Sequence, residues 1–148
     1  MNSGMGEPKT WAYEDFAVGQ RFVSEFRVSP ELVSQYLEVQ GYASPVFTDA
    51  GLARELGFEA VPVPPGLATT YQFIAAVPGV KLPPGGFYAK QEFRMLGPCF
   101  AGDTLHTITT VQEKYERRGH RYISFDSTTS RAVGQPVIWG RRTRAWPD

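Results

Sequence analysis

Between Pro64-Pro65 and Pro78-Gly79 runs a segment with almost no polar face, carrying Leu67, Ala68, Tyr71, Phe73, Ile74, Ala75, Ala76 and Val77. A helix that is apolar on nearly every side cannot rest on a protein surface and has to be enclosed. The rest of the chain supplies the enclosure. After the Pro/Gly-rich loop 78–86 the pattern changes to strands at 87–96, 104–117, 120–132 and 136–146, with Arg118-Gly119 and Val133-Gly134-Gln135 as hairpin turns. Helical signals fill the first half and long antiparallel strands the second, which predicts an α+β chain whose curved sheet wraps one central helix over residues 65–77.

The first half is punctuated by caps. Residues 20–28 place Phe22, Val23, Phe26 and Val28 in rough alternation, a first strand. Ser29-Pro30-Glu31 then offers an N-cap hydroxyl, a proline suited to the first helical position and an acid in the first turn. The helix it opens runs to Val39 on the stripe Leu32, Val33, Tyr36 and Leu37, and Gly41 ends it. Asp49 opens a short helix over 50–56 that Gly57 closes. No internal repeat is visible, so residues 11–148 read as a single domain behind a flexible lead-in over 1–10. A single sheet-and-helix unit must cover its sheet by association.

Composition removes several functions. Fifteen basic and fifteen acidic side chains cancel, leaving no global field to attract nucleic acid or an anionic membrane. No apolar run is long enough to span a bilayer. The single Cys99 forms no internal disulfide, and two histidines without a cysteine cluster have no zinc spacing. A reducing cytoplasm is the expected location, and the first eight residues lack the basic start and apolar core of a secretory signal.

Four stretches carry a family signal. In order they are Trp11 to Gln20, the loop Gly41-Tyr42-Ala43-Ser44-Pro45-Val46-Phe47-Thr48-Asp49, the helix start Pro64-Pro65-Gly66-Leu67, and Gly97-Pro98-Cys99-Phe100-Ala101-Gly102-Asp103. Together they resemble the MaoC-like hydratase/dehydratase family of hotdog-fold proteins over roughly residues 11 to 146. That resemblance implies an acyl thioester of coenzyme A or acyl carrier protein as ligand, with no cofactor beyond the coenzyme A or phosphopantetheine of the substrate itself.

Catalytic members resemble Gly-Asp-x-Asn-Pro-Ile/Leu-His in the loop after the first helix, where Asp and His share one water. Hydration of an enoyl thioester needs both, a base to take a proton from water and an acid to deliver one to the α-carbon. Here Tyr42 stands at the Asp position, Ser44 at the Asn position and Phe47 at the His position, with Pro45 retained. Phenylalanine has no titratable proton, and a phenol with its usual pKa near ~10 is a poor base. Tyr42 and Asp49 are the candidates for a rewired acid–base pair. The competing reading is that Tyr42 and Phe47 shape a pocket and Asp49 caps a helix. His106 and His120 lie on strands as ordinary edge histidines.

Where catalytic members resemble Ala-His-Gly-Met, this chain has Pro64-Pro65-Gly66-Leu67. A glycine amide at a helix start can donate to a thioester oxygen, so Ser44, Phe47, Pro65, Gly66, Leu67 and Tyr71 form the expected substrate-binding set. The proline pair is similar to the degenerate halves of the family, in which the half without the dyad shapes the acyl tunnel. Whether the chain is itself an enzyme therefore stays open at this point. Three functions follow: an acyl-thioester hydratase/dehydratase homologue with an altered site, a noncatalytic subunit paired with a dyad-bearing partner, or a recruited isomerase or cyclase on a polyketide-like thioester. A homodimer or a heterodimer with a catalytic hotdog subunit is expected in each case. For a phosphate of the carrier, Lys90, Arg94, Arg117, Arg118, Arg121, Arg141, Arg142 and Arg144 are the available cations.

Overall fold

The protein is described here by a computed structural model over residues 7–41, 44–132 and 134–148. Its frame is a five-stranded antiparallel sheet built from β2 (Arg21–Arg27), β4 (Phe87–Met95), β5 (Thr104–Arg117), β6 (His120–Ala132) and β7 (Gln135–Trp146), in the order β2-β5-β6-β7-β4. β2 and β4 are thus its edges. The β5–β6 hairpin closes on Arg118 and Gly119, both at positive φ (52° and 77°), the backbone a two-residue turn needs to match strand twist. Register irregularities in β4, β5 and β6 act as bulges, which bend a sheet.

The helix caps form as the sequence predicts. In α1 (Pro30–Gln40) the Ser29 hydroxyl accepts from the Leu32 amide at 3.2 Å, Pro30 takes the first position, and Gly41 ends the helix at φ 65°. Val33 is buried, with Leu32, Tyr36 and Leu37 packed against the same core. In α2 (Ala50–Glu55) the Asp49 carboxylate accepts from the amides of Gly51 and Leu52 at 2.8 and 3.1 Å.

The central helix departs from expectation. Instead of a continuous helix over 65–77, α3 spans only Pro65–Thr69, followed by 3₁₀ turns at Thr70–Gln72 and Ile74–Ala76. Phe73 between them is extended, at φ −70° and ψ 135°. Side chains explain the break. The hydroxyls of Thr69 and Thr70 turn back onto the carbonyls of Gly66 and Leu67 at 2.8 and 2.7 Å, competing with the helical ladder. The Gln72 amide then reaches into the sheet, 3.2 Å from the Ser127 carbonyl, 3.1 Å from Thr129 Oγ1 and 3.0 Å from the Ile138 carbonyl. Holding those acceptors fixes Gln72 at the sheet and ends the helical run.

The segment nonetheless fills the interior. Leu67, Ala68 and Tyr71 join Leu105, Val137 and Ile138 in one core cluster, while Ile74 and Val77 join a second around Phe16, Ile123, Phe125 and Trp146. Phe16 meets Trp11 and Trp146 with ring centroids 5.0 Å away and Phe125 at 5.5 Å. Within residues 1–10, β1 (Lys9–Thr10) pairs in parallel with β3 (Val80–Lys81), and just beyond them Trp146 Nε1 donates to the Trp11 carbonyl at 3.1 Å. Among the described residues no helix is long and apolar enough to cross a membrane.

Candidate functional site

Where the two loops with family signal meet the end of β4, the fold leaves a groove of about 600 Å³, a size within the usual range for small-molecule sites. One wall is the 3₁₀ turn Pro45–Phe47, which contributes Val46 and Phe47. Pro45 starts that turn, and its carbonyl accepts from the amides of Thr48 and Asp49 at 3.1 and 2.7 Å. A second wall is Pro62, Val63, Pro65 and Ala68, held in place because the Val63 amide donates to the Cys99 carbonyl at 2.8 Å and Pro62 bridges to Phe100.

The floor comes from the turn after β4. The amides of Leu96 and Gly97 both donate to the Val137 carbonyl, at 2.8 and 3.2 Å, folding 95–99 tightly onto β7. Only a residue without Cβ fits at 97, since a Cβ there would sit 2.9 Å from the Pro136 carbonyl oxygen. Leu56, Met95 and Leu96 form an apolar rim that is 60%, 47% and 49% exposed.

The chemistry of this lining is limited. Among the described lining residues Cys99 carries the one titratable side chain, and the residue is 2% exposed. Burial pushes its pKa up to about 11, Asp103 adding to the shift and Arg131 opposing it, so it stays protonated and weakly nucleophilic at neutral pH. No cluster of His, Cys, Asp and Glu among the described residues could hold a metal ion.

The expected site residues do not all converge on the groove. Phe47 and Pro65 line the groove. Leu67 and Tyr71 lie in the core cluster that also contains Cys99, not on the groove wall; the Tyr71 ring stacks on Phe26 at 4.1 Å, and its hydroxyl is buried without a hydrogen-bond partner. Burial, with the Cys99 thiol beside it, raises the Tyr71 pKa above the usual phenol value. Ser44 and Asp49 are exposed, and Asp49 serves as the α2 cap. Gly66 is half-buried at the second position of α3. Tyr42 lies outside the described residues.

The histidines stay on the sheet. His106 faces Glu25 across the β2–β5 pair at 3.4 Å, and His120 sits at the β5–β6 turn. Of the expected phosphate-binding cations, Arg141 is held by Asp126 in two bonds of 2.6 and 2.7 Å, Arg121 pairs with Glu14 and Arg94 with Glu92. Arg142 and Arg144 are buried. Sequence reasoning missed Met95, Leu96 and Val137 as groove residues. The Gly97-Pro98-Cys99 signal lay beside them, but their approach to 46–68 depends on long-range folding.

Known proteins give this geometry a family. A family model described as the FAS1-like dehydratase domain region matches residues 17–139. A UPF0336 protein of Streptomyces coelicolor is 25% identical over 135 residues, covering 86% of this chain and 90% of the relative. Among solved structures, the unliganded R-hydratase PhaJ1 of Pseudomonas aeruginosa superposes with a TM-score of 0.73 at 24% identity, over 93% of this chain and 86% of that one. The MaoC-like dehydratase of Rhodospirillum rubrum gives 0.75 at 23% identity, over 91% and 96%. The C-terminally truncated HadBC 3R-hydroxyacyl-ACP dehydratase complex of Mycobacterium tuberculosis gives 0.70 at 20%, over 86% and 96%. These structural likenesses establish the hotdog fold, and the family match leads to one conclusion: the chain belongs to the family of the FAS1-like dehydratase domain region, built on a hotdog fold.

Proposed function

We propose that this chain binds the acyl part of a coenzyme A or carrier-protein thioester in the groove, and that a dyad-bearing hotdog partner carries out the hydration or dehydration. The supporting observation is the lining: a groove of about 600 Å³ walled by Phe47, Pro65, Leu96 and Val137, whose one titratable side chain among the described residues is a protonated thiol. Such a surface favours an alkyl chain, and its described residues offer no group to move a proton at neutral pH. Pairing with a second subunit is supported by the likeness to a chain of the HadBC complex. Gly66, next to Pro65 of the wall, is the proposed backbone contact to the thioester.

The test separates binding from turnover. Calorimetry should detect acyl-coenzyme A binding to the wild type, and Leu96→Asp and Gly66→Val should each weaken it by at least about tenfold, the loss of one good contact. Hydration of a trans-2-enoyl-coenzyme A should require the partner. Absence of acyl-coenzyme A or acyl-carrier-protein binding would end the ligand assignment, and turnover by the chain alone would end the noncatalytic one.

A further inference from the structure

Gln72 and Arg142 are only 3% and 4% exposed, yet each holds one polar atom without a partner among the described residues. The orientation of the Gln72 amide is forced. Its nitrogen has three acceptors, two of them backbone carbonyls that cannot donate, so Oε1 must turn the other way. There it overhangs Gly140, where a Cβ would collide with it. Arg142 donates through Nη2 to the Thr69 carbonyl at 2.6 Å and through Nε to Gln91 Oε1 at 3.2 Å, which leaves Nη1 over. No carboxylate pairs with this guanidinium among the described residues. Arg144 differs, since it donates to the Tyr88 hydroxyl as well as to the Pro83 carbonyl at 3.4 Å.

One of these atoms is an acceptor and the other a charged donor, and both lie beside Phe93. The guanidinium carbon of Arg142 is 4.7 Å from the Phe93 ring centroid, and 3.9 Å from that of Phe73, the residue after Gln72. A Cβ at Gly140 that met Gln72 Oε1 would also sit 3.0 Å from the Phe93 ring. The same place continues the groove. Alternate residues of a pleated strand share a face, so Met95, Phe93 and Gln91 of β4 form one inward row opposite Ile138, Gly140 and Arg142 of β7. Met95 lines the groove and Gln91 holds Arg142, with Phe93 between them. On the helix side, Ala68 lines the groove and the next carbonyl, of Thr69, takes Arg142. Phe93 is half-buried on an edge strand opposite a glycine, so its ring has room to swing aside.

A guest that satisfies both atoms has to accept from Arg142 Nη1 and donate to Gln72 Oε1. A hydroxyl does both with one oxygen. A ketone only accepts, and an alkyl end does neither. A carboxylate answers the charge of Arg142 but sets its own oxygens against Gln72 Oε1. We infer that the acyl groove continues past Phe93 to a polar end formed by Arg142 Nη1 and Gln72 Oε1, and that it takes an acyl chain bearing a hydroxyl group remote from its thioester. This inference rests on the reading of the groove as an acyl-thioester site, and it names the class of acyl chain that the site selects.

The experiment is calorimetry of the full chain with acyl-coenzyme A esters of about six to twelve carbons, a span that brackets the roughly 13 Å of β4 from Met95 to Gln91. At each length the far end of the chain is a methyl, a hydroxyl, a methyl ketone or a carboxylate. A purely apolar channel would penalise the hydroxyl at every length, since it gives up water and gains no partner. Expected instead is a length at which the hydroxyl ester binds at least about tenfold tighter than the methyl ester, with the ketone in between. Arg142→Met and Gln72→Leu should each bring the hydroxyl and methyl esters level. Should those changes unfold the chain, Phe93→Trp leaves both polar atoms in place and blocks the way to them, and it should abolish the preference too. A hydroxyl ester no tighter than its methyl counterpart at any length would overturn the inference, the two atoms then being met by water alone. Tightest binding of the carboxylate ester would also overturn it, because Arg142 would be reading charge without Gln72. A chain that binds none of the esters loses the groove assignment and this inference together, whereas one that binds the methyl esters and gains nothing from the hydroxyl loses this inference alone.

Discussion

β7 begins beside an open groove and ends in a crowded arginine cluster. At its start, Val137 looks onto apolar walls around about 600 Å³ of space. At its end, Arg142 and Arg144 are packed among Phe73, Tyr88 and Trp146, with polar hydrogens left over. The first region lacks contacts, which in an apolar cavity costs little beyond lost dispersion and suits an alkyl guest. The second lacks acceptors, and the desolvation of a cation is a larger cost that only an anion or water can offset. One strand thus presents two regions of opposite chemistry, an open apolar groove at one end and a crowded cationic cluster at the other.

The largest expected effect challenges the groove side. The purified chain should hydrate a trans-2-enoyl thioester more slowly than a dyad-bearing relative by at least about 10⁴-fold, because Tyr42 and Phe47 stand where the family resemblance puts the two proton-transfer groups. Turnover within tenfold of such a relative would mean the groove is not passive, and Tyr42→Phe and Asp49→Asn should then abolish it.

The next concerns Cys99, whose folded pKa of about 11 lies above its unfolded value. From about pH 9 upward the unfolded thiol ionises while the folded one keeps its proton, so the stabilisation present below pH 9 is lost as pH rises toward 11. The wild type should lose up to roughly 2–3 kcal/mol more across that window than Cys99→Ala does. Urea denaturation at several pH values measures the difference. Parallel curves would show the thiol to be wetter than its burial implies.

A smaller effect lies at the junction of the two regions. A Cβ at Gly140 would collide with Gln72 Oε1 and sit 3.0 Å from the Phe93 ring. Gly140→Ala should therefore cost about 1–3 kcal/mol by overpacking and should disturb both the acyl groove and the arginine cluster. An unchanged melting curve would mean the Gln72 tether is loose.

The smallest distinguishes the arginine end. Arg144→Met in the isolated chain should be neutral or stabilising by about 1 kcal/mol, since it removes a desolvated charge while filling a similar volume. A loss above about 2 kcal/mol would mean that Arg144 is already satisfied in the free chain.

The local features were legible in the residues. Ser29, Pro30 and Gly41 bound α1, Asp49 caps α2, and the strands 104–117 and 120–132 form with the expected limits, because caps, turns and alternation act between neighbours in the chain. The chemistry of Phe47 could also be read directly, since that residue has no proton to transfer wherever it lies, and the structure places it on the groove wall.

What the chain alone did not disclose depends on distant partners. The break at Phe73 follows from Gln72 binding Ser127, Thr129 and Ile138, residues 55 to 66 positions away, which local propensity cannot anticipate. The floor of the groove forms because Leu96 and Gly97 bond the Val137 carbonyl. Arg142 and Arg144 read as surface cations in a polar, strand-like sequence; their burial arises because β7 lies one strand in from the edge, beneath Phe73 and Pro83. Sequence by itself determined the caps, the hairpin strands and the aprotic character of Phe47, since these are properties of residues and their near neighbours. Tertiary structure decided which apolar residues enclose space and which charges are stranded, because burial is a property of the assembled surface and not of any segment.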